Sequence, residues 1–365
     1  MSEFDLTGRS SQRDATEALR DAFAEIFAAM GREGAGPHHM VRASFTSDEP
    51  ERFHMARHEV ELAWREAFAG FRPPIALRPS TEAGLTVTVT FRRAGAPDPA
   101  VAALAAEYSP RRQTDMTALF RRWSAEGKAF CRDKGGLDLA YGPSAWEKLD
   151  LFRPAGRGKP PVWVFIHGGY WQASDKVQHA QFSAGMLAAG YAVAMPNYGL
   201  APDTPLETIV AQTIACLRFL VDNQDALGID ASRLHLAGHS AGGHLAAVAA
   251  TEPGAPPVES ALLLSGLFDL VPLGGIPLGH LLGLDDVPRA KALSPILRPA
   301  PKTRIALAYG ARETAAFADQ SARLAAAWGA PAPLAVADAN HFSLLEPLAT
   351  GGELLDLARS LAGPA

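Results

Sequence analysis

Residues 233–250 read RLHLAGHSAGGHLAAVAA. A short apolar run, RLHLA, is followed by Gly238-His239-Ser240-Ala241-Gly242 and then by an alanine-rich helical stretch. The spacing predicts a strand, a sharp turn and a helix. Glycines on either side let the backbone turn tightly, which lifts Ser240 onto a strained corner above the end of a sheet. The helix that starts there favours negative charge beside the serine hydroxyl.

Working outward, further apolar runs alternate with amphipathic or alanine-rich stretches. The runs are VWVFIH (162–167), AVAMPN (192–197), SALLLSG (260–266), RIALAYG (304–310) and a weaker PLAVAD (333–338). Among the helical stretches are Glu207–Asn223, His244–Thr251 and Ala315–Trp328. Buried strands alternating with helices imply an α/β fold, a mainly parallel sheet covered on both faces. Ligands in such sheets sit at the carboxyl ends of the strands. This block is expected over residues 101–365.

The chain has 365 residues, 34 Lys+Arg against 39 Asp+Glu, and two cysteines, Cys131 and Cys216. Net charge near −5 argues against a nucleic-acid partner, which needs clustered basic excess. Two cysteines exclude a disulfide framework and a Cys-rich zinc site. No run approaches about 18 apolar residues, and the polar N-terminus has no secretory pattern. A soluble cytoplasmic protein with no membrane partner, metal or organic cofactor is expected.

Gly95, Pro97 and Pro99 read as a linker that sets off a small first block, residues 1–97. Leu19, Ala22, Phe23, Ile26, Phe27 and Met30 recur at helical spacing up to Gly31. Met40–Thr46 suits a strand, Glu51–Ala69 a second helix, and Leu85–Phe91 a half-buried strand. About two helices and three strands make a marginal α+β domain. Their order over residues 14–93 resembles the Rid (YjgF) family of imine deaminases without its first hairpin. In that family a catalytic arginine follows a proline after the second helix. Here the neighbourhood reads Arg72-Pro73-Pro74-Ile75, so Ile75 stands where the guanidinium belongs, and an isoleucine cannot hold a carboxylate. A structural or oligomerising role is expected, and Rid trimers suggest a homo-oligomer.

In the second block His167-Gly168-Gly169-Tyr170-Trp171 follows the run VWVFI. With the N–H of Ala241, those of Gly168 and Gly169 would form an oxyanion hole, each donor worth about 3–4 kcal/mol in the transition state. His167 reads as a structural residue of that loop. Ser240 needs a base. Of eleven histidines, His341 is the one C-terminal candidate in a loop after the last strand, as the order nucleophile, acid, histidine requires. The acid should follow RIALAYG, which favours Glu313; Asp338, Asp319 and Asp269 are its rivals. Tyr170, Trp171 and Phe342 flank these loops and could stack on an aryl ring, or simply pack in the core or at the rim.

From Glu107-Tyr108-Ser109-Pro110 onward the block resembles the kynurenine formamidases (arylformamidases) of the α/β-hydrolase fold. The likeness rests on Leu149-Asp150-Leu151-Phe152, HGGYWQ (167–172), Asp175-Lys176, NYGLAP (197–202), GHSAGGHLAA (238–247), SGLFDL (265–270), Gly310 to Phe317 and Asn340-His341-Phe342. Esterases of the hormone-sensitive-lipase type usually carry an arginine where Gly199 stands. The resemblance implies hydrolysis of N-formyl-kynurenine by a Ser240–Glu313–His341 triad without cofactor, the small molecule being the partner. A broad carboxylesterase and a non-catalytic binding protein on the same fold are the alternatives.

Overall fold

The computed structural model describes residues 2–33, 35–68, 71, 73–92, 98–110, 114–156 and 158–365. The chain divides into two compact units, one formed by residues 1–102 with 115–120 and 172–174, the other by 103–114, 121–171 and 175–365.

In the first unit four strands are ordered β1-β4-β2-β3, namely β1 (Glu3–Ser10), β2 (Met40–Ser47), β3 (Ile75–Pro79) and β4 (Leu85–Arg92). β4 runs antiparallel to β1 and to β2, whereas β3 lies parallel to β2. The helices are α1 (Ala15–Glu33), α2 (Pro50–Met55) and α3 (Arg57–Phe68). Alternation along β4 turns Leu85, Val87, Val89 and Phe91 into the core. There they join Phe23, Ile26, Phe45, Trp64 and Phe68. Phe23 meets Trp64 edge-on at 5.3 Å.

Four points differ from the sequence expectation. There are four strands, because the polar stretch Glu3–Ser10 pairs along its whole length with β4. The first helix runs through Gly31 to Glu33. The stretch 51–69 forms two helices, since the chain breaks at Ala56 (φ −95°, ψ 34°). Pro99 opens a helix, Pro99–Glu107, where its fixed φ suits the first turn. Gly95, Pro97, Ala69 and Arg72 lie outside the described residues. Ile75, at the start of β3, is 48% exposed.

The second unit holds an eight-stranded sheet, ordered β12-β11-β10-β9-β7-β8-β6-β5. Its strands are β5 (Leu139–Ala140), β6 (Lys148–Phe152), β7 (Pro161–Ile166), β8 (Ala192–Pro196), β9 (Asp230–His239), β10 (Ser260–Leu264), β11 (Arg304–Gly310) and β12 (Leu334–Val336). Neighbours from β8 to β12 run parallel, and β6 pairs antiparallel with β5 and β8. All residues of β7, β8 and β10 are buried, the mark of strands covered on both faces. Among the described residues no helix is long and apolar enough to cross a membrane.

Gly8 on β1 packs so closely on α1 that a β-carbon there would lie 1.8 Å from the carbonyl oxygen of Ala22. A Gly8→Ala substitution is therefore expected to destabilise this unit by about 1–3 kcal/mol. Hydrogen exchange should show it as faster exchange of β1 and α1 amides; unchanged protection would contradict this packing.

Candidate active site

The stretches that follow β7, β9, β10, β11 and β12 carry the polar residues singled out in the sequence. Ser240 follows β9 and caps the helix Ala241–Thr251 with φ 56° and ψ −119°. That conformation costs a non-glycine residue about 1–3 kcal/mol and persists only where its surroundings enforce it. Here the Ser240 N–H donates to Leu264 O at 2.8 Å, and its carbonyl accepts from His244 N at 3.2 Å. Ser240 is 2% exposed.

Glu313 lies in the turn after β11. Its Oε2 is 2.7 Å from His341 Nδ1. A carboxylate accepts, so Nδ1 carries the proton and Nε2 is left with its lone pair. The other oxygen, Oε1, accepts from Gly310 N–H at 2.7 Å and from the Ser265 hydroxyl at 2.5 Å. The three rival acids stand elsewhere. Asp338 pairs with Arg312, while Asp269 and Asp319 both face Arg323.

Loop 338–343 holds His341 by several short contacts. Asn340 Oδ1 accepts from the N–H groups of Phe342 and Ser343, both at 2.9 Å. Arg312 N–H donates to Ala339 O at 2.9 Å. His239 Nε2 donates to the His341 carbonyl at 2.8 Å, and the two rings lie 4.6 Å apart. Phe317 covers the imidazole at 4.4 Å.

Gly168 sits against the serine corner, where a β-carbon would come within 3.0 Å of His239 O and 3.1 Å of Ser240 Cβ. Gly169, Tyr170 and Trp171 then follow with φ of 108°, 52° and 56°. His167 shores up this loop. Its Nδ1 donates to Gly168 O at 2.8 Å, and Tyr198 stacks on its ring at 4.4 Å while donating to its carbonyl at 2.8 Å. Beneath lie a buried ion pair, Lys176 Nζ to Asp150 Oδ2 at 2.8 Å, and Asn197 Nδ2 donating to Asp175 Oδ2 at 2.8 Å. Ala241 is the first helical residue and is buried.

The aromatic trio separates. Tyr170 is half-buried and donates to Tyr108 O at 2.5 Å; Phe342 is half-buried beside His341 at 5.2 Å. Trp171 is fully buried and meets His244 edge-on at 5.0 Å, so it is a core side chain and not a rim platform. Sequence reasoning missed Ser265, His239, Asn340 and Phe317. The quoted stretches SGLFDL, GHSAG, Asn340-His341-Phe342 and Gly310 to Phe317 already contained all four, but a side chain inside a motif does not announce its partner.

A mainly parallel sheet with a strained serine between β9 and its helix, and a histidine–carboxylate pair at the same strand ends, defines an α/β-hydrolase. The family model BD-FAE matches residues 149–262. A kynurenine formamidase from Danio rerio is 30% identical over 143 residues, 38% of this chain and 47% of that protein. A carboxylesterase, NlhH, from Mycobacterium tuberculosis is 34% identical over 114 residues, 30% of this chain and 36% of that one. The chain thus spans at most about half the length of these curated relatives. The crystal structure of a candidate thioesterase from Silicibacter sp. tm1040 shares 32% identity with a TM-score of 0.59, covering 67% of this chain and 92% of that one. The chain has the α/β-hydrolase fold and is similar, within it, to this structure and, over part of its length, to formamidases and carboxylesterases.

Burial holds His179 down at about 3 and His244 at about 4, below the ordinary 6.5. Unfolding frees both to bind protons, from about pH 6.5 down to about 4 for His244 and about 3 for His179, so stability is full above that window and falls as the pH drops through it. The slope reaches about 1.4 kcal/mol per pH unit for each histidine. Urea midpoints from about pH 7.5 to 5 should decline, and His244→Gln should flatten the decline by about one proton. A midpoint that stays level would mean these imidazoles are not held neutral.

Proposed function

We propose that the second unit is a serine hydrolase that cleaves an N-formyl arylamine, N-formyl-kynurenine being the first choice. The observation that carries it is the Glu313–His341 bond at 2.7 Å, which leaves Nε2 as a base, at the same strand ends as the strained Ser240. In this reading Ser240 Oγ attacks the formyl carbon while His341 Nε2 takes its proton. The N–H groups of Gly168, Gly169 and Ala241 hold the oxyanion. His341 then protonates the departing arylamine, and water releases formate from Ser240. Glu313 keeps the imidazole in the required tautomer and balances the imidazolium.

The enclosure of Ser240 and His341, 2% and 3% exposed, favours the smallest acyl group. Tyr170 and Phe342 are the half-buried aromatic faces offered to an aryl ring. The likeness to the Danio rerio formamidase supports the same choice. A broad carboxylesterase is the second reading, favoured by the likeness to carboxylesterase NlhH.

Turnover of N-formyl-kynurenine, compared with p-nitrophenyl acetate and butyrate, separates the two readings. Fast ester cleavage without formamide cleavage would leave the carboxylesterase. Ser240→Ala should lose about 10⁴-fold or more in kcat, and Glu313→Gln about 10²- to 10⁴-fold. Asp338→Asn, at an exposed ion pair, should stay within about twofold of wild type. Full turnover in Ser240→Ala would remove the serine from the mechanism.

A further inference from the structure

We propose that Ser265 is a positioning residue for Glu313, and through it for the base His341; this rests on the serine-hydrolase reading above. Ser265 is the first residue beyond β10 and is fully buried. Its φ of 45° lies in the left-handed region, where glycine sits without strain and serine does not. The backbone is fixed there because Ser265 N–H donates to Ala308 O on β11 at 2.8 Å. A serine held in a glycine conformation calls for a use of its hydroxyl, and the hydroxyl has one. It donates to Glu313 Oε1 at 2.5 Å.

The consequence for the carboxylate is geometric. The terminal torsion of a glutamate is soft and broad, so a carboxylate held by one oxygen can swing. Here Oε1 is held by two donors, the Ser265 hydroxyl and Gly310 N–H at 2.7 Å. They come from the ends of adjacent parallel strands, β10 and β11. With Oε1 fixed from two sides, Oε2 is aimed at His341 Nδ1. Removing the hydroxyl leaves one donor from the residue's own turn and frees the carboxylate to rotate away from the imidazole.

The test uses the opposition between backbone fit and donor chemistry. At this φ the backbone prefers glycine over serine and alanine, and accepts β-branched threonine least. Donor chemistry ranks serine and threonine above glycine and alanine. In the full chain, Ser265→Gly should hold or raise Tm and lower kcat about 10-fold or more, with KM within about twofold. Ser265→Ala should behave likewise in kcat, and Ser265→Thr should recover most of the turnover despite a lower Tm. Should Ser265→Thr fail to fold, glycine against wild type decides.

A glycine variant as fast as wild type overturns the proposal, as does one whose loss of kcat comes with a lowered Tm. The two levels of inference fail differently. A wild type without turnover, or a fully active Ser240→Ala, sinks the reading of the site. An active wild type, a dead Ser240→Ala and an unimpaired Ser265→Gly sink the positioning role alone.

Discussion

The close approach of β7 to the turn after β9 is the constraint on which the candidate site depends. A β-carbon on Gly242 would lie 2.0 Å from Ile166 O and 2.5 Å from His167 O. No side chain fits between them, so the first turn of the helix presses against the end of the neighbouring strand. Contact at that distance forces the chain to reverse within the single residue Ser240. The cost of the reversal, about 1–3 kcal/mol, is offset locally by the bond to Leu264 O and by the two fully covered strands on either side. The same contact brings the loop after β7 beside the serine. Serine corner and glycine loop are consequences of one packing event.

That loop is held from below by polar groups, which demands their complete pairing. Asp150 accepts from Lys176 Nζ on Oδ2 and from Asp138 N–H on Oδ1, at 2.8 and 3.0 Å. Asn197 bridges two elements by accepting from Lys176 N–H at 2.7 Å while donating to Asp175. Buried ion pairs are weak contributors to stability compared with apolar packing of the same volume. Their value here is geometric: they tie Asp175 and Lys176 to Asp150 and Asn197, and a slip there would strand charge in the interior.

Much of this was legible in the sequence, for physical reasons that also mark where legibility ends. Strands covered on both faces are near-continuous apolar runs, so β7 to β11 stand out. GHSAG is informative because a strand precedes it and a helix follows. Glu313 stood out as the first acid beyond β11, and His341 as the histidine in the last loop. β1 was invisible because Glu3–Ser10 has one face in solvent and carries a charge or hydroxyl at most outward positions. β3, with Ile75 exposed, lacked a buried alternation to follow. Trp171 stayed open between an aryl-stacking face and core packing because position beside a catalytic-type motif says nothing of side-chain direction at φ 56°. Ser265 and Asn340 act through hydrogen bonds whose partners lie far along the chain or in a local turn, and small polar residues leave no periodicity.

The buried histidines of the second unit show why partner chemistry, more than burial, sets the proposed base apart from scaffold. His167 donates to Gly168 O, His179 to Asp175 O, His239 to His341 O and His244 to Leu293 O. A backbone carbonyl fixes a tautomer but cannot balance an imidazolium, so burial keeps each of these rings neutral. His341 shares their burial, yet its Nδ1 proton goes to a carboxylate that is itself held by two donors. In the proposed mechanism a proton taken up at Nε2 is balanced by that carboxylate. Four imidazoles with carbonyl partners hold loops together; His235 bonds the Ser260 hydroxyl at 2.9 Å with Glu259 3.6 Å away, and His341 differs from all of them in having a carboxylate at hydrogen-bond distance.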